Sequence, residues 1–124
     1  MQRMRKREEF VAARSGRKTH AATVTLQCRD RRDGLEPKAG FTVTKKTGGA
    51  VERNRIRRRL REALRRVEQD ARLGHDYVLI GREGALTAPF TQMIDELTAA
   101  FGRVHSSRSR GDARRDVAPG DGSP

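Results

Sequence analysis

The 124-residue sequence has no tryptophan, a single cysteine and no apolar run approaching the roughly 18–20 residues that a membrane span requires. With Cys28 alone, a disulfide framework is excluded and a cysteine-based metal site has no basis in the sequence. His20, His75 and His105 are scattered along the chain without metal-ligand spacing, so no metal is expected on the protein. Residues 1–9 are basic, but no apolar stretch follows them. A secretory signal is therefore not expected, and the cytoplasm is the expected compartment. Catalytic signatures are also missing. There is no Ser/His/Asp set and no phosphate-binding loop, and the adjacent Glu8 and Glu9 diverge on a helix. At 34% hydrophobic residues the chain can build one domain with a small core.

Acidic residues are scarce where basic ones concentrate. Residues 1–66 hold 21 Lys+Arg against 7 Asp+Glu, whereas residues 67–124 hold 7 against 9. The net charge of +12 therefore resides in the first half and points to a polyanionic partner.

Periodicity gives the elements. Residues 5–15 lack Gly and Pro and favour helix, with Gly16 as the stop. Residues 22–28 alternate with the strand period: Ala22, Val24, Leu26 and Cys28 face one way, Thr23, Thr25 and Gln27 the other. A polar loop at 29–38 leads to a second alternating strand at 41–44, which suggests an antiparallel pair with an open polar face. Residues 51–72 carry a helical stripe through Ile56, Leu60, Leu64 and Val67, ended by Gly74. Tyr77-Val78-Leu79-Ile80 reads as a buried central strand, and an amphipathic helix follows Pro89 up to Val104. The order helix, strand, strand, helix, strand, helix predicts a small α+β sandwich over 1–104. Residues 105–124 are expected to form a disordered polar tail.

The long helix is unusual. Residues 53–66 contain eight arginines and one acid, Glu62. At 100° per residue, Asn54, Arg57, Arg58, Arg61 and Arg65 lie opposite the apolar stripe, while Arg53, Arg57 and Arg61 form one ridge. Like charges at i, i+4 cost a few tenths of a kcal/mol per pair, a repulsion that phosphates would relieve. Guanidinium forks also fit phosphate oxygens. Five or six phosphate contacts would give a salt slope of roughly −3.5 to −5 in log K against log salt. A solvated charge-rich face explains the excess of arginine poorly, and a membrane-surface helix conflicts with use of the apolar stripe in the core.

Lys45-Lys46-Thr47-Gly48-Gly49-Ala50-Val51-Glu52-Arg53-Asn54-Arg55-Ile56-Arg57-Arg58-Arg59-Leu60-Arg61-Glu62 closely resembles the signature of the bacterial ribonuclease P protein family. Glu9-Phe10 before Gly16, and Asp76 to Ile80 before Arg82, agree with that family's pattern. The resemblance implies an α–β sandwich with a central, mainly antiparallel sheet and a left-handed βαβ crossover around the basic helix. It also implies catalysis by an RNA subunit that holds most of the required Mg²⁺. The protein would bind that RNA and the 5′ leader of precursor tRNA, assisting endonucleolytic leader removal. By similarity, Arg53, Asn54, Arg55, Arg57, Arg58 and Arg61, with Arg65 on the same face, would meet the catalytic RNA. Phe10, Thr44, Lys45 and Lys46 occupy leader-cleft positions. Arg14 and Gln27 stand where many members carry aromatics, so leader contacts here lean on charge and hydrogen bonds more than on stacking. A ribosomal-type RNA binder would explain the charge but not the lysine–glycine–arginine order. A DNA-reading helix would need base-reading Asn or Gln beside the arginines, and only Asn54 is present.

Overall fold

The computed structural model describes residues 1–106. Five strands form one sheet: β1 (Gln2–Arg3), β2 (Arg17–His20), β3 (Val24–Asp30), β4 (Lys38–Thr42) and β5 (His75–Gly81). The helices are α1 (Arg7–Ala13), α2 (Ala50–Val67) and α3 (Phe90–Ser106). The strand order is β1-β4-β5-β3-β2. Most of the ladder is antiparallel, through β3–β5 and β2–β3, while β4–β5 and β1–β4 are parallel.

The apolar run of β5 is central, as its composition requires. The strands at 24–30 and 38–42 are not partners of each other, because β5 lies between them. The reason is the connection: α2 carries the chain from β4 over the sheet to a parallel neighbour, which fills the place that an antiparallel hairpin would have taken.

α2 and α3 cover one face of the sheet. Ile56, Leu60 and Leu64 from α2 and Met93, Leu97 and Phe101 from α3 pack on Val24, Leu26, Tyr77 and Leu79. The other face carries only α1, which buries Ala13 with Met4 and Val78 and packs Phe10 and Ile80 at the edge of that cluster. Consequently Thr25 and Gln27 are buried beneath α1 rather than presented on an open face, and Thr23 is buried against α3. Thr23 gives both its N–H and its hydroxyl to Glu96 Oε1 of α3, at 2.9 and 2.7 Å. Thr25 Oγ1 lies 3.1 Å from His20 Nδ1.

Helix boundaries follow local chemistry. Glu9 Oε1 accepts the N–H groups of Arg5 and Lys6, both at 3.0 Å, and its Oε2 takes Lys38 Nζ at 2.9 Å, which ties α1 to β4. Those bonds, the backbone donor of Lys6 foremost, lower the Glu9 carboxyl to about 2. A depressed folded-state value stabilises the fold fully above the carboxyl's ordinary value of 4.5, and that stability is lost as pH falls toward 2. Glu9→Gln is therefore expected to lower Tm at neutral pH and to shrink the drop in Tm between pH 5 and pH 2 relative to wild type. An acid limb of unchanged depth would show that Glu9 does not titrate in that window. α2 ends at Val67, five residues before the expected end at Arg72. A 3-10 turn over Glu68–Asp70 and extended Ala71 (ψ 143°) redirect the chain, while Ala71 still packs on the core and prolongs the apolar period. α3 runs past Val104 to Ser106, so the first two residues of the expected tail are helical; residues 107–124 lie outside the described residues.

Candidate nucleic-acid interface

The arginine helix presents its charge to solvent. Its buried residues are Ile56, Leu60, Ala63, Leu64 and Val67, while Asn54, Arg55, Arg58 and Arg65 are exposed and Arg53, Arg57 and Arg61 half-buried. Glu52 Oε1 accepts the Gly49 N–H at 3.0 Å and fixes the first turn. Arg53 Nε donates to the Gly49 carbonyl at 3.3 Å, and Arg57 Nη1 to Asn54 Oδ1 at 2.9 Å. Arg55, Arg58 and Arg61 have no hydrogen-bond or ion-pair partner among the described residues. Arg61 Nε is moreover a buried donor left unsatisfied, which is a costly state without an acceptor.

Arg59, Arg65 and Arg66 behave differently. Arg59 donates Nη1 to the Ala85 carbonyl at 2.6 Å and Nη2 to that of Ala88, clasping the turn before α3. Glu62 pairs with Arg65 at 3.3 Å and Arg66 at 3.9 Å, and the Arg66 guanidinium sits 5.7 Å over the Phe90 ring. Arg53, Arg55, Arg57, Arg58 and Arg61 are thus without a carboxylate partner or a structural clasp among the described residues, and Arg65 is partly neutralised.

A second strip runs along β4. Its register puts Lys38, Gly40 and Thr42 on the α1 side, level with Asp76, Val78 and Ile80 of β5. Phe10 lies directly on Gly40: a Cβ there would come within 2.5 Å of the ring. Beyond Thr42, the exposed Thr44 caps a 3-10 turn over Lys45–Thr47, where Lys45 and Lys46 are exposed, and the chain continues through Gly48 and Gly49 into α2. The strip and the arginine ridge therefore join through one short segment. Arg14 is exposed at the end of α1, whereas Gln27 is 7% exposed beneath that helix.

Gly40→Ala is expected to lift Phe10 off the strip and destabilise the fold by about 1–3 kcal/mol, as overpacking does. A lower Tm, or shifted NMR resonances of the Phe10 ring, checks it; an unperturbed variant would mean the ring has room to slide.

Sequence reasoning missed β2, whose Lys18 and His20 pair with Gln27 and Thr25 and extend the same face. Arg17-Lys18-Thr19-His20 contains no apolar residue, so no alternation betrays it; it forms as a charged edge strand. The absence of ligand spacing also concealed a grouping in space. The His75 and His105 rings are edge-to-face with centroids 4.9 Å apart, and Cys28 lies beside them. Burial pushes the Cys28 thiol up to about 12 and the His105 imidazole down to about 4.

Among the described residues no helix is long and apolar enough to cross a membrane. The family model for Ribonuclease P matches residues 1–105. A ribonuclease P protein component of Brucella suis is 42% identical over 123 residues, covering 92% of this chain and 87% of the relative. One from Bartonella quintana is 45% identical over 103 residues, 77% of each chain. The solved RNase P protein of Staphylococcus aureus superposes with a TM-score of 0.72 at 23% identity, covering 85% of this chain and 96% of that one. That of Thermotoga maritima gives 0.69 at 24% identity, covering 83% and 97%. At those identities the two structures support the fold.

Proposed function

The chain belongs to the ribonuclease P protein family, and from that premise we propose that it serves as the protein subunit of a ribonucleoprotein endonuclease that removes the 5′ leader of precursor tRNA in the cytoplasm. The observation that carries this reading is the bare guanidinium ridge Arg53–Arg61, joined through Lys45 and Lys46 to the strip under α1. On this reading Arg53, Asn54, Arg55, Arg57, Arg58 and Arg61 contact the catalytic RNA, with Arg65 at the margin because Glu62 shares its charge. Phe10, Arg14, Thr44, Lys45 and Lys46 hold the single-stranded leader, and Gln27, roofed by α1, contributes least.

The division of labour follows from the chemistry present. Phosphates docked on the ridge replace repulsion between arginines by charge-assisted hydrogen bonds and release counterions. Arg61 Nε gains the acceptor it lacks. Phe10 offers a ring face to a base while Lys45 and Lys46 meet the backbone, which is sequence-tolerant recognition suited to variable leaders. Mg²⁺ would supply electrostatic stabilisation to phosphodiester hydrolysis. The grouping of Cys28, His75 and His105 does not suit it, since these offer sulfur and nitrogen whereas Mg²⁺ takes oxygen ligands. The ion is accordingly assigned to the RNA subunit.

Reconstitution tests the assignment. Purified chain added to a bacterial catalytic RNA is expected to restore precursor tRNA cleavage at low Mg²⁺, where the RNA alone is inactive. Failure to stimulate at any protein concentration would refute the subunit role.

A further inference from the structure

Cys28, His75 and His105 come from three elements: β3, the start of β5 and the last turn of α3. Each offers one ligand atom, and all three atoms lie within 4.8 Å of one another. We propose that this cluster binds Zn²⁺ and that the ion braces the C-terminal end of α3 against the sheet. The site is separate from the arginine ridge and does not depend on the RNA-binding assignment.

The donor set favours this ion. One thiolate and two imidazoles suit a borderline-soft cation without geometric preference, and they disfavour Mg²⁺ or Ca²⁺. Tetrahedral zinc, with bonds of about 2.0–2.3 Å, places its ligand atoms roughly 3.3–3.6 Å apart, so spacings up to 4.8 Å need side-chain shifts of about 1 Å. The imidazoles are already oriented. His75 Nδ1 lies 2.9 Å from the Leu73 carbonyl. A carbonyl only accepts, so Nδ1 carries the hydrogen and Nε2 keeps its lone pair, the arrangement that carbonyl partners impose on metal-binding histidines. The Tyr77 hydroxyl, 2.6 Å from His105 Nε2 and accepting the Arg72 N–H at 2.9 Å, steadies the second ring.

Asp30 Oδ2 lies 3.9 Å from His75 Nε2 and provides a carboxylate for the fourth position. Cys28 is buried while both histidines are half-buried, so the ion enters from the imidazole side. Binding displaces the thiol proton to solvent, leaving a zinc-bound thiolate. Burial and the nearby Asp30 oppose the free thiolate, so the bond to the metal itself must hold the sulfur deprotonated.

Co²⁺ reports thiolate ligation through a sulfur-to-metal charge-transfer band. Titrated into the reduced full chain, Co²⁺ is expected to give that band at one ion per chain, and Zn²⁺ to abolish it by displacement. Zn²⁺ at about a hundred times its Kd should raise Tm by on the order of 10 °C. Cys28→Ser should lose the band, and His75→Gln should weaken Co²⁺ and Zn²⁺ binding by about tenfold or more. Because Cys28 is a core residue whose variant can fail to fold, His75→Gln is the deciding variant. Glutamine there can still donate to the Leu73 carbonyl, and circular dichroism verifies its fold. No thiolate band in the wild type, or a metal affinity and a Tm rise unchanged in His75→Gln, overturns the proposal.

Discussion

Arg57→Ala, Arg58→Ala and Arg61→Ala combined should flatten the salt dependence of RNA binding by about 2–3 in slope and weaken binding roughly a hundredfold near 0.15 M salt. Each side chain is allotted one phosphate, and each phosphate contributes about 0.7–0.9 to the slope. Arg58 and Arg61 have no intramolecular partner to lose among the described residues, and Arg57 has only Asn54. Alanine is also the best helix former, so Tm should hold or rise. Arg59→Ala is the matched control. It breaks the clasp on the Ala85 and Ala88 carbonyls and should cost about 2–3 kcal/mol of stability while leaving the slope intact. Anisotropy titrations over a salt series distinguish the two, and equal slopes for wild type and the triple variant would sink the ridge as an RNA contact.

Asp76→Ala should be the most damaging single substitution away from the interface. Asp76, at the second position of β5, is 1% exposed. It holds Arg31 Nη1 through Oδ1 and lies 3.7 Å from Arg29 Nη1 through Oδ2. Arg31 also donates to the His75 carbonyl at 3.1 Å and the Glu36 carbonyl at 2.9 Å, so it ties the loop between β3 and β4 to β5. Arg31 would keep Asp33, whose Oδ2 lies 2.9 Å from its Nε, so losing Asp76 should cost about 2–3 kcal/mol, a Tm loss on the order of 10 °C for a domain of this size. Asp76→Asn keeps an acceptor and should cost less. Thermal melts check both, and a loss of only a degree or two for the alanine variant would show that Arg31 finds other acceptors.

Where apolar and polar residues alternated or repeated helically, the chain could be read directly. The Ile56–Leu64 stripe, the central Tyr77–Ile80 run and the closing helix stand where periodicity puts them, because each buries a face that its pattern announces. On α2 the exposure of Asn54, Arg58 and Arg65 agrees with the helical phase, whereas Arg57 and Arg61, expected on the same face, are half-buried. Three things escaped. β2 is polar throughout, so only its pairing with β3 reveals it as a strand. The burial of Thr25 and Gln27 depends on α1 lying over the sheet, which no local pattern encodes. The meeting of Cys28 with His75 and His105 depends on strand register and on where α3 ends, both long-range. Arg59 shows the limit within the helix itself: composition makes it one of eight equivalent arginines, and only the turn at Glu83–Leu86 assigns it to structure.

The rims of the sheet have a colloidal consequence. One is closed by β1, a two-residue strand; the other is β2, where Arg17, Lys18 and His20 stand in solvent. Neither offers a long, flat, greasy margin onto which a neighbour's backbone could zip. With both margins short or cationic, backbone pairing between copies along either rim is disfavoured, and like charge opposes their side-by-side approach.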